Sequence, residues 1–286
     1  MEWTPGERGD ISDQRGQSGG FGVAHLGIGG FLVLLVLSWA TGTNLFSLLG
    51  TGGGGAPAPS QSVGTSGQVA ASPAEEKLVD MVGAVAKDAQ DMWSQLLGSR
   101  YHRTKVVLFR DSLQSACGFA QSATGPFYCP EDQQVYLDLG FFNEMAQKLG
   151  APGDFAEAYV ITHELGHHVQ ALLGLNERAT NDRRTGANSA SVALELQADC
   201  FAGVWGHAAS QPGRAAAGKV QLDPGDMEEA LRAAAAIGDD RLQKMSTGRV
   251  MPDRFTHGSS AQRVESFKKG MDSGDPRACG APVSTY

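Results

Sequence analysis

The sequence predicts an α+β domain, mostly helical with a small antiparallel sheet, preceded by one transmembrane helix. Three observations predict this: an uncharged apolar run near the N-terminus, two short segments of β-type composition, and several long stretches with apolar residues at helical spacing.

Residues 1–22 mix Glu2, Glu7, Arg8, Asp10, Asp13 and Arg15 with glycine and serine. So polar a segment cannot build a core and is expected to be disordered. No Asp, Glu, Lys or Arg lies between Gly16 and Ala74. Within that stretch, residues 23–43 have the length and composition of a membrane-crossing helix, with His25 and Trp39 near its two interfaces. A cleaved signal peptide is the competing reading. The long polar head, and a proline after Ala56-Pro57-Ala58, favour an uncleaved anchor. Residues 44–74 form a Gly/Ala/Pro/Ser-rich linker, and residues 75–286 form the globular domain.

In that domain, Leu78, Met81, Val82, Val85, Trp93 and Leu96 set a helix over residues 75–97. Lys105 to Phe109 and Gln134 to Leu139 read as strands. Asp154 is placed to cap a helix ending at Gly174, and further helices cover about 190–209, 226–238 and 260–271. The segment 125–138 is a candidate edge strand for an extended peptide.

The net charge of −8, with no run of Lys or Arg, argues against nucleic acid as a partner. The four cysteines contain no C-x-x-C pair. Their even number fits two disulfides or four free thiols; the expected pairing is Cys117–Cys129, across a loop with glycine and proline, and Cys200–Cys279.

The segment that carries chemistry is His163-Glu164-Leu165-Gly166-His167. Histidines four apart on a helix share a face and can grip one Zn²⁺. Glu164 stands beside the metal, where it can take a proton from the bound water and return it to a leaving amine. A zinc site of this kind needs a third protein ligand. Glu195 and Asp199, four apart on the next helix, supply one ligand and one acceptor for a histidine N–H, with Glu195 the expected ligand and Asp199 next in line. Counting onward from His163, Gln170 and Leu173 occupy the glycine and third-histidine positions of metzincins, which excludes that class.

H-E-L-G-H followed by E-x-x-x-D resembles the gluzincin pattern. Residues 125–267 more closely resemble the bacterial family named "putative neutral zinc metallopeptidases", through GPFYCP (125–130), HELGHHVQ (163–170), ELQADC (195–200), GDD (238–240) and FTHG-S-AQR (255–263). The resemblance implies a zincin-like domain, zinc, proteolysis and membrane attachment. The stretch His257 to Arg263 is also similar to the THP-x4-R segment of CAAX-type proteases. That similarity implies that His257 and Arg263 stabilise the oxyanion in catalysis, the alternative being a helix-start turn with Arg263 in an ion pair.

The expected function is therefore zinc-dependent hydrolysis of peptide bonds in a peptide or protein substrate. A zinc-binding membrane scaffold and a zinc amidase acting on cell-wall peptides are the rivals; the intact Glu164 speaks against the first. Arg8 and Arg15 precede the apolar run, whereas the first basic residue after it is Lys77. That bias is expected to leave the N-terminus cytoplasmic and the catalytic domain extracytoplasmic.

Overall fold

The computed structural model describes residues 1–5, 8–16, 71–121, 125–176 and 184–283. The transmembrane helix expected over residues 23–43 and the linker up to residue 70 lie outside them. Among the described residues, no helix is long and apolar enough to cross a membrane.

Helix α1 (Pro73–Leu97) starts at Ser72, whose side chain accepts the Glu75 N–H, and ends at Gly98. Its buried side carries Val79, Val82, Val85, Ala86, Ala89 and Trp93. The strands are β1 (Ile11–Asp13), β2 (Val106–Phe109), β3 (Ser112–Ser115), β4 (Gly118–Gln121), β5 (Phe127–Cys129) and β6 (Gln134–Asp138). The main sheet has the order β1-β2-β6-β5, and β3 and β4 make a separate hairpin. Helices α2 (Gly140–Lys148), α3 (Asp154–Leu172), α4 (Ala190–Ala209), α5 (Asp226–Ala236), α6 (Asp239–Thr247) and α7 (Ser260–Ser273) follow.

Two expectations are corrected. The main sheet is mixed: β1, β2 and β6 run parallel, and only β5 pairs antiparallel. The polar head is not disordered in its described part. Ile11, Ser12 and Asp13 pair with Val106, Val107 and Leu108 on β2. Arg8 binds Glu76 at 2.8 Å and Asp80 at 2.6 Å. Arg15, with only 1% of its side chain exposed, binds Asp13 at 2.7 Å and Glu75 and Glu76 each at 2.8 Å. Order here comes from backbone pairing and from arginines meeting the acidic first turn of α1, not from apolar content. A smaller correction concerns Asp154: the N-cap of α3 is Gly153, and Asp154 is its first residue.

The core lies where α3, α4 and α7 cross, around the fully buried Phe155, Tyr159, Trp205 and Phe267. Glycine makes the α4–α7 approach possible. A Cβ on Gly203 would stand 2.1 Å from the Phe267 carbonyl oxygen, and one on Gly270 would stand 1.9 Å from that of Cys200. This close crossing carries Arg263 of α7 to Asp199 of α4.

Candidate metal centre and peptidase cleft

Helix α3 is buried on nearly every side, so the polar residues it carries must all find partners within the protein. His163 is 5% exposed and Glu164 7%. Gly166, between the two candidate ligands, lets α4 come close. A Cβ there would sit 3.1 Å from the Ala198 carbonyl oxygen. Glu195 and Asp199, on either side of Ala198, therefore reach the histidines.

The predicted donor set converges. Glu195 Oε2 lies 3.2 Å from His163 Nε2, and Glu195 Oε1 lies 3.5 Å from His167 Nε2. Candidate ligand atoms of the three residues all lie within 4.8 Å of one another. Two imidazole nitrogens and one carboxylate are the donors that catalytic zinc takes, leaving its fourth position open. Both rings turn the other nitrogen outward. His163 Nδ1 donates to Asp199 Oδ1 at 2.8 Å, and His167 Nδ1 donates to Gln170 Oε1 at 2.9 Å. With Nδ1 protonated in each ring, the Nε2 lone pairs face the site. The residues present thus fit zinc.

Electrostatics agree with a cation site. Burial works against a charge on His163, but Asp199 and Glu195 outweigh it and raise its pKa to about 10. His167 shifts in the same direction, mainly because the pull of Glu195 overcomes burial. Glu195 is held well below the usual carboxylate range: burial opposes its charge, and His167 and His257 favour it. A site that holds protons this firmly is arranged for positive charge.

Asp199 is fully buried, and its carboxylate accepts four hydrogen bonds. Oδ1 accepts from His163 Nδ1, from the Tyr159 hydroxyl at 2.5 Å and from an Arg263 terminal nitrogen at 2.8 Å. Oδ2 accepts from Arg263 Nε at 2.9 Å. Of the two readings left open for Arg263, the ion pair is the one observed. The guanidinium spends two nitrogens on Asp199 and its side chain is 3% exposed, and Arg263 also lines the cleft that holds the candidate ligands.

His257 has a different setting. Its side chain is 49% exposed, and it lines the same cleft as His163, Glu164, His167 and Glu195. Asp239, at the start of α6, holds it there. Asp239 Oδ2 accepts the backbone N–H of Thr256 and of His257 at 2.7 Å each and that of Gly258 at 3.1 Å, while Oδ1 lies 3.4 Å from His257 Nδ1. Lost hydration opposes a charge on His257, but Glu195 and Asp239 outweigh it and raise its pKa.

The cleft measures about 870 Å³ and is largely apolar, with Phe127, Tyr128, Phe141, Val160, Ile237 and Met251 among its walls. Strand β5 forms one wall and the outer edge of the sheet. His168 ties β5 to α3: its Nε2 donates to the His102 carbonyl at 2.6 Å, and its Nδ1 accepts from the Tyr128 hydroxyl at 3.1 Å. The Cys117–Cys129 disulfide fixes the far end of β5, and Cys200–Cys279 pins the C-terminal segment to α4 beside Asp199. Both pairings match the expectation.

Sequence reasoning missed Gln170, Gln197, Tyr159 and Asp239 as supporting residues. Gln170 and Tyr159 carried a local signal, since each lies about one turn from a candidate ligand on the same helix.

Comparison with known proteins agrees with this geometry. The model of the "Putative neutral zinc metallopeptidase" family matches residues 1–281. The "Uncharacterized protein YpfJ" of Escherichia coli K12 is 43% identical over 295 residues, covering 98% of each chain. The "Uncharacterized protein Rv2575" of Mycobacterium tuberculosis H37Rv is 45% identical over 202 residues, covering 69% of this chain and 68% of its own. No solved structure matches the chain. With the match running from the head to the C-terminal disulfide, the chain belongs to the "Putative neutral zinc metallopeptidase" family.

Proposed function

We propose that the protein is a zincin-like, zinc-dependent peptidase that hydrolyses peptide bonds, with His163, His167 and Glu195 as ligands and Glu164 as general base. The observation that carries this reading is a carboxylate, Glu164, next in sequence to one ligand, lining the same cleft as all three and only 7% exposed. When bound, zinc polarises a peptide carbonyl and acidifies a water molecule. Glu164 accepts the proton from that water and passes it to the leaving amine. His257, held by Asp239, faces the same cleft and donates to the oxygen that gains charge as the carbonyl is attacked. The outer edge of β5, paired with no other strand among the described residues, offers backbone groups for an extended peptide to pair with. A scaffold would need the ligands but no base, and so leaves Glu164 without a role. A zinc amidase would share these ligands, and profiling against peptides and cell-wall fragments separates the two. The test is hydrolysis of a peptide library by the full chain with and without zinc, beside Glu164→Gln.

The two disulfides support a location outside the cytoplasm, and the apolar run at residues 23–43 remains the proposed membrane attachment. The docked head supports a different sidedness from the one the arginine bias suggests. Arg15, before the run, binds Glu75, beyond the run and the linker that follows it, at 2.8 Å. A single crossing between them would separate these partners, so we place the head and the catalytic domain on the same, extracytoplasmic side, with the run entering the membrane without crossing it.

A further inference from the structure

The two candidate histidine ligands are supported by unlike groups. Behind His163 stands the charged Asp199–Arg263 pair. Behind His167 stands a chain of neutral amides. Gln170, fully buried, accepts the His167 Nδ1–H on Oε1 at 2.9 Å. Its Nε2 donates to the Leu194 carbonyl at 2.7 Å and to Gln197 Oε1 at 3.1 Å. Gln197 Nε2 in turn donates to the Cys279 carbonyl at 2.9 Å, and Cys279 is bonded to Cys200.

This chain has a direction. A backbone carbonyl can only accept, so Cys279 requires the amide nitrogen of Gln197 to face it. Gln197 then turns its oxygen toward Gln170, which must offer its own nitrogen. The Leu194 carbonyl makes the same demand on Gln170 from a second side. The Gln170 oxygen is left facing His167, where it accepts the Nδ1 proton. His167 must therefore be the Nδ1–H tautomer, with its Nε2 lone pair toward the metal site. A flipped Gln170 would present an NH2 group to Nδ1 and place the ring proton on Nε2, which blocks coordination.

We infer that Gln170 is the positioning residue that sets the tautomer of His167 for zinc, and that the disulfide-tied C-terminal segment fixes its orientation through Gln197. The inference rests on the ligand set proposed above. Removing such a partner of a metal-bound histidine costs 10–100-fold in metal affinity. Loss of the Gln197–Cys279 contact alone costs less, because Leu194 still orients Gln170.

Chelator competition with Zn²⁺ on the full chain tests this. Gln170→Ala is expected to weaken zinc binding 10–100-fold. Gln170→Glu keeps an acceptor facing Nδ1 and, protonated on its other oxygen, a donor to the Leu194 carbonyl; it is expected to restore binding to within a few-fold of wild type, even where it lowers Tm. Equal affinity in Gln170→Ala and wild type would overturn the inference, and so would a Gln170→Glu variant as weak as Gln170→Ala. Should Gln170→Ala fail to fold, ¹⁵N NMR of the metal-free wild-type histidines decides, recorded at a pH alkaline enough for the His167 ring to be neutral. The Nδ1–H form at His167 supports the assignment; the Nε2–H form or a mixture overturns it. That readout needs no metal, so its failure is distinct from failure of wild-type protein to bind zinc.

Discussion

Arg263 grips Asp199 through two guanidinium nitrogens, at 2.9 and 2.8 Å, directly behind the imidazole of His163. The pair is buried, and each charge is the other's main compensation: burial opposes ionisation of Asp199, yet Arg263 and His163 hold its pKa below the usual range. Removing the cation leaves a buried carboxylate. Arg263→Ala is therefore expected to lose about 3–5 kcal/mol of stability. Thermal unfolding of the metal-free protein reads this. A variant with unchanged Tm that loses only turnover would instead assign the oxyanion role to Arg263.

For His257 the expectation is reversed. Its side chain is half exposed and touches none of the candidate ligands within hydrogen-bonding distance, so His257→Ala should leave zinc content and Tm unchanged. It should lower kcat by about 10²–10³-fold, the size of losing one oxyanion donor. Wild-type kcat in this variant would remove His257 from the reaction.

Acid and base should shift stability through Glu157 near the start of α3. Burial, with Asp154 and Glu229 nearby, raises its pKa from 4.5 to about 7. The folded state thus holds this proton more tightly than the unfolded chain does. Its contribution is present below pH 4.5 and is lost as pH rises through 7. Glu157→Gln should gain about 1–2 kcal/mol relative to wild type at pH 8 and nothing at pH 4, after discounting for partial exposure. Chemical denaturation of both proteins across pH 4–8 measures it, and parallel stability curves would contradict it.

Docking of the head predicts that it shares a side with the domain. Thr4 in the head and Lys269 on α7 are both exposed, and all four native cysteines are in disulfides. With Thr4→Cys and Lys269→Cys made separately, an impermeant maleimide on spheroplasts should label both. Labelling of Lys269→Cys alone would place the head across the membrane, leaving the β2 edge unpaired.

Much of the site was legible because its spacing is helical. His163 and His167, and Glu195 and Asp199, follow a four-residue period that fixes which side chains meet, and the helix expected at 190–209 is observed as Ala190–Ala209. What could not be read depends on partners distant in sequence. Strand β1 has one aliphatic residue, Ile11, and gains its order from β2 and the acidic start of α1. Asp239 could not be read as the support of His257 because the N–H groups its carboxylate accepts, those of residues 256–258, lie 17–19 residues away. Helix α2 went unassigned since its buried face amounts to Phe142 and Met145. Arg263 carried two readings until the Gly203–Gly270 crossing placed it against Asp199.

The most direct test of the central claim compares wild type and Glu164→Gln for metal content and peptide hydrolysis in one preparation. Both proteins are expected to hold one zinc per chain, with hydrolysis by wild type abolished by chelation and restored by zinc. Glu164→Gln should hydrolyse at background rate, because it keeps the ligands and lacks the base. Turnover by Glu164→Gln at the wild-type rate, or wild-type hydrolysis that survives complete removal of zinc, would contradict the account.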